Sequence, residues 1–75
     1  TMRNDEVIKN SIVYELARDT RIDAASTEVT VENGRVTLTG ETPTFLGKSA
    51  ATEDALSILG VTEVDNLMMK NMMDN

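Results

Sequence analysis

A chain of 75 residues is the length of one small domain, so its apolar core is thin. It has no cysteine and no histidine, which excludes disulfides, thiolate metal sites and a Ser-His-Asp triad. Thirteen acidic and seven basic residues leave a net charge of −6. The scattered basic side chains form no stripe for a phosphate backbone, which argues against nucleic acid as a partner.

Residues 1–4 read as a disordered or expression-derived N-terminus, residues 5–70 as a single domain and residues 71–75 as a frayed tail. No apolar run approaches the ~20 residues that span a bilayer. Asn4 or Asp5 is placed to cap a first helix over residues 5–17, with Asp5 and Glu6 at its positive end. Ile8, Ile12 and Leu16 recur one turn apart and form its apolar stripe. At 100° per residue, Val7 and Tyr14 lie within about 20° of each other, nearly opposite Ile12. That pair is a candidate surface for a lipid bilayer, a second domain or a second copy, although isolated surface apolar residues are also ordinary.

Residues 18–27 form a polar connector in which Ile22 is expected to plug the end of the core. A hairpin follows. Two alternating strands flank Asn33-Gly34, the pair suited to a two-residue type I′ turn, since both central residues need φ > 0. The register then places Val31 opposite Val36 and Val29 opposite Leu38 on one apolar face. Glu32 opposite Arg35 and Thr30 opposite Thr37 form the polar face. Gly40 is expected to end the second strand, where φ > 0 or a close backbone approach excludes a side chain.

Glu41-Thr42-Pro43-Thr44 leads into a second helix, with Pro43 in its first turn. Ala51, Ala55, Ile58 and Leu59 share its core face, and Gly60 is placed as its left-handed cap. Phe45 and Leu46 open this helix. They suit either insertion into a membrane interface or a staple of the helix start to the fold, the staple being the commoner use. A third strand is expected over residues 61–69, with Val64, Asn66 and Met68 on one face. Met69-x-x-Met72 has a spacing for soft Cu(I), but methionine clusters more often serve as adaptable packing. The acidic pairs Asp19 with Asp23 and Glu53 with Asp54 lack the spacing of an EF-hand loop, and no metal or cofactor is expected.

The element order is αββαβ. It implies an α+β two-layer sandwich: a three-stranded mixed sheet with both helices on one face, the third strand parallel to the second through a right-handed crossover. Strand order is not determined by this pattern.

These residues together resemble the BON domain, a module named for bacterial osmotic-shock and nodulation proteins. Asp5, Ile8, Ile12 and Leu16 match its first helix, and Asp19, Ile22 and Asp23 its loop. Val29-x-Val31-x-Asn33-Gly34-x-Val36-x-Leu38-x-Gly40 matches its central signature. Ala51, Ala55, Gly60-Val61, Val64 and Asn66 match its second helix, turn and last strand. Glu41-Thr42 and Lys70 depart from the family, which often has apolar residues there. The resemblance implies an αββαβ fold without enzymatic activity, in a bacterial periplasm or envelope, attached to phospholipid or to an envelope partner. The alternative is a protein–protein or self-association module of a multidomain protein, in tandem or as a homo-oligomer, and cytoplasmic in some members. Val7, Tyr14, Phe45, Leu46 and Met69 are the candidate contact residues. Asn33, Gly34, Gly40 and Gly60 are assigned to turns and caps.

Overall fold

The computed structural model describes residues 4–70, so the expectations for residues 1–3 and 71–75, and for Met72 as a ligand, lie outside the described residues. Asn4 is the N-cap of α1 (Asp5–Arg18), its side-chain oxygen accepting the Val7 amide at 2.9 Å. Asp5 and Glu6 fall in the first turn and Arg18 in the last, matching the helix dipole. The predicted stripe of Ile8, Ile12 and Leu16 is buried. The connector contains a 3-10 turn at Ala24–Ser26, capped by Asp23, and Ile22 packs half-buried against the core.

The hairpin forms from β1 (Thr27–Glu32) and β2 (Arg35–Thr42) in the predicted antiparallel register. Val31 pairs with Val36, Val29 with Leu38, Thr30 with Thr37 and Glu32 with Arg35. Asn33 at φ 55° and Gly34 at φ 83° supply the two positive values that the turn requires.

The second helix, α2 (Phe45–Leu56), starts later and ends earlier than its sequence suggests. Thr44 is the N-cap, accepting the Gly47 amide at 2.9 Å, so Pro43 precedes the cap instead of occupying the first turn. β2 runs on through Thr42, whose hydroxyl donates to the Thr44 carbonyl at 3.0 Å and closes the bend. At the other end Ser57 is the C-cap. Gly60 at φ 103° instead serves a separate turn, in which the Val61 amide donates to the Ile58 carbonyl at 3.2 Å. Helical periodicity therefore stops before Leu59, which is 77% exposed and contributes nothing to the core.

The last strand is divided into β3 (Glu63–Asn66) and β4 (Met69–Lys70), making four strands instead of three. Both run parallel to β2 at the same offset, Leu38 opposite Asn66 and Glu41 opposite Met69. The break thus falls opposite Thr39 and Gly40. Gly40 has φ 118°, and a Cβ there would collide with the Ser26 carbonyl, so the predicted need for glycine holds, but within β2 and not at its end. The strand order is β1-β2-β3, with β4 also beside β2, which puts the hairpin's second strand in the centre. Both helices cover the apolar sheet face. Ile8, Ile12 and Leu16 meet Val29, Val36, Leu38, Ala51, Ala55 and Met68 in one buried cluster.

Candidate functional site

Among the described residues, no group of three His, Cys, Asp or Glu side chains is placed to hold a metal. Among the same residues, no helix is long and apolar enough to cross a membrane. Met68, the start of the methionine-rich end, is buried in the core. Three regions of the described surface stand out.

The first is on α1. Val7 and Tyr14 are 44% and 62% exposed and lie on one side of the helix, as its periodicity implies. They line a shallow groove of about 470 Å³ whose other lining includes Asn10, Ser11, Glu15 and Ile58. Ile58 comes from the turn after α2. The sequence assigns it to the core, and the structure has it serve both, because the short helix leaves it at the core's rim. The Arg18 guanidinium stacks over the Tyr14 ring at 5.5 Å and holds the ring at the groove's end.

The second region is the start of α2. Phe45 is 67% exposed and Leu46 60%, so neither is stapled into the fold. The Thr44 cap and the Thr42 hydroxyl fix the bend with hydrogen bonds, and no apolar staple is needed. The Lys70 ammonium lies 5.8 Å from the centre of the Phe45 ring. Lys48 follows one turn along the same helix. Met69, also exposed, belongs elsewhere: strand alternation turns it to the uncovered sheet face, between buried Met68 and inward Lys70. Leu56, Leu59 and Leu67 are exposed as well; sequence periodicity assigns Leu59 to the core and does not single out the other two. The uncovered sheet face carries Glu28, Glu32, Glu41, Glu63 and Asp65 against a single guanidinium, Arg35, which pairs with Glu63 at 3.2 Å.

The third region is a charged clasp between the connector and α2. Arg21 donates to Asp19 through Nε at 2.9 Å and Nη2 at 2.7 Å, a two-bond fork. The same guanidinium reaches Glu53 at 3.6 Å and Asp54 at 3.9 Å. The acids that interact are therefore not those adjacent in sequence; the fold brings Asp19 and Asp54 to the same guanidinium. The Arg21 fork holds the Asp19 carboxyl well below the usual carboxylate range, and Asp19 in turn raises Arg21. Burial, then the neighbouring Asp19, pushes Asp54 up to about 7. Its Oδ2 is buried without a donor, a position better suited to a protonated acid.

A second cleft, about 420 Å³, lies where α1 begins, lined in part by Asp5, Asn33, Gly34 and Thr62. The Asp5 carboxylate accepts the Asn33 amide at 2.8 Å and the Gly34 amide at 3.2 Å, tying the hairpin turn to the helix. The Thr62 amide donates to the Gly34 carbonyl at 2.9 Å on the other side.

The family model of the BON domain matches residues 4–69, all but the last residue of these elements. The chain belongs to the BON domain family. A 21 kDa hemolysin of Actinobacillus pleuropneumoniae is 34% identical over 67 residues, covering 88% of this chain and 34% of that protein. Among solved structures, CdsD, a structural protein of the type III secretion system of Chlamydia trachomatis, superposes with a TM-score of 0.73. That match has 17% identity and covers 89% of this chain and 32% of CdsD. A second structure, described as the CdsD C-terminal domain, gives 0.72 at 17% identity, covering 89% of this chain and 33% of its own. At that identity the likeness is one of fold. This BON domain spans about a third of the length of the relatives it matches.

Proposed function

We propose that this BON domain is a non-enzymatic attachment module that seats a larger bacterial envelope protein on a phospholipid surface through the start of α2. The observation that carries this reading is the exposed Phe45–Leu46 pair with the Lys70 ammonium over the Phe45 ring. Aromatic and aliphatic anchors enter the headgroup boundary while adjacent lysines stay with the phosphates. The acidic open sheet face would repel the same surface, which orients the domain with its helix side toward lipid. The family membership and the absence of any histidine or cysteine support a role without catalysis.

Co-sedimentation with phosphatidylcholine vesicles, with and without phosphatidylglycerol, tests the proposal at low and high salt. The wild type is expected to pellet with vesicles even at high salt, because apolar insertion is not screened. Phe45→Ser with Leu46→Ser should abolish pelleting and leave the circular dichroism spectrum unchanged. Equal pelleting of wild type and variant, or none by either, overturns it. The groove of Val7, Tyr14 and Ile58 favours a second reading, association with protein or with another copy. Under that reading Val7→Ser with Tyr14→Ser lowers the concentration-dependent mass in sedimentation and leaves vesicle binding alone.

A further inference from the structure

We propose that the Asn33–Gly34 peptide is a latent self-modification site, primed for succinimide formation, and that Asp5 is the positioning residue that locks it. The chemistry needs only water. The Gly34 backbone nitrogen loses its proton to solvent base and attacks Asn33 Cγ. The N–Cγ bond forms, the Cγ–Nδ2 bond breaks, and ammonia leaves carrying a proton. Water then opens the ring at either carbonyl, leaving aspartate or isoaspartate at position 33, with no change of oxidation state.

The sequence favours this reaction, because glycine presents no side chain to hinder the attacking nitrogen. Asn33 is exposed, so water and base reach it. The fold opposes it at three points. The nucleophilic Gly34 N–H is engaged by Asp5 Oδ1 at 3.2 Å, and a carboxylate beside that nitrogen disfavours its anion. The preceding N–H of Asn33 is held by Asp5 Oδ2 at 2.8 Å, which anchors the residue in its left-handed conformation at φ 55°. The Gly34 carbonyl is held by the Thr62 amide at 2.9 Å. Attack requires the Asn33–Gly34 peptide to rotate, and rotation must break the Asp5 contact. Modification would be irreversible: a carboxylate at position 33 stands near that of Asp5, and isoaspartate adds a methylene to a two-residue turn. Charge repulsion in the first product and the lengthened backbone in the second both weaken the lock.

The test is timed incubation at mildly alkaline pH, followed by peptide mass mapping and chromatographic separation of the aspartate isomers at position 33. Wild type unfolded in urea should convert faster than folded wild type. Asp5→Ala, folded by circular dichroism, should convert faster than folded wild type by about tenfold, the rate equivalent of one charge-assisted hydrogen bond. Asp5→Asn, which keeps an oxygen acceptor without the charge, should fall between them. If Asp5→Ala does not fold, Asp5→Asn carries the test. A folded Asp5 variant converting at the wild-type rate, or wild type converting equally fast folded and unfolded, overturns the proposal.

Discussion

Asp19, Arg21 and Asp54 show how much of a titration is set by a few side chains. The carboxyls compete for one guanidinium; Asp19 holds the two-bond fork, and Asp54 is left at 3.9 Å with a buried oxygen. Glu15 on α1 adds negative charge near Asp54, and Glu53 on α2 draws on the same guanidinium. Asp54, at about 7, keeps its proton in the folded state over a range where the unfolded chain, near 3.8, has lost it. The contribution of Asp54 to stability is therefore greatest below that range and declines as pH rises from about 4 to about 7, then levels off. Asp19 acts oppositely: its depressed value stabilises the fold above the ordinary carboxylate range, and that contribution is lost on acidification. Asp54→Asn should remove the decline and raise the melting temperature at pH 8 by ~4–8 °C, the response of a small domain to about 1 kcal/mol. Melting curves from pH 4 to 9 check this. A variant with the wild-type pH slope would assign the titration elsewhere. None of this is legible in sequence, where the acids beside Asp54 and Asp19 are the wrong partners.

At the scale of elements, the split last strand depends on Gly40 and Asn66. Gly40 turns β2 through a left-handed residue against the Ser26 carbonyl, and the ladder to the last strand opens opposite it. Asn66 closes the gap. Its amide donates to the Lys48 carbonyl at 2.9 Å and the Thr52 hydroxyl at 2.7 Å, and its oxygen accepts the Met68 amide at 3.0 Å. The Leu67 amide still reaches the Leu38 carbonyl at 2.8 Å, so β3 and β4 stay in register across the break. Asn66→Ala strands three part-buried groups and should cost about 1–3 kcal/mol, read as a fall in the urea midpoint with unchanged slope. Gly40→Ala combines a disfavoured φ with a collision and should cost about 2 kcal/mol or more. Faster hydrogen exchange at the Leu67 amide would locate that damage at the break. Alternation in sequence places Val64, Asn66 and Met68 on one face correctly, but it does not reveal the interruption. That arises from contact between β2 and the connector.

For the whole molecule, the distribution of charge matters more than its total of −6. The open sheet face concentrates carboxylates, while most of the exposed large apolar side chains lie on the outer sides of α1 and α2 and in the turn after α2, with Leu67 and Met69 in the last strand segment. The candidate contacts form separate regions: Val7 with Tyr14, Phe45 with Leu46, and Met69 on the sheet. Helical periodicity singles out Val7 with Tyr14, the position at the helix start Phe45 with Leu46, and the methionine-rich end Met69. None of these signals says which of them meet.

The sequence by itself determined α1, the hairpin with its register, the element order and the parallel return of the last segment. Those features rest on local rules: a 3.6-residue stripe, a two-residue alternation, and a turn whose two positive φ angles only Asn-Gly accommodates readily. The tertiary structure alone decided the central place of β2, the early end of α2 with Leu59 in solvent, and the break opposite Gly40. It also decided the Asp19–Asp54 pair and the Asp5 clasp on the turn. Each of these depends on two segments far apart in the chain arriving at the same place, and local periodicity carries no information about that meeting.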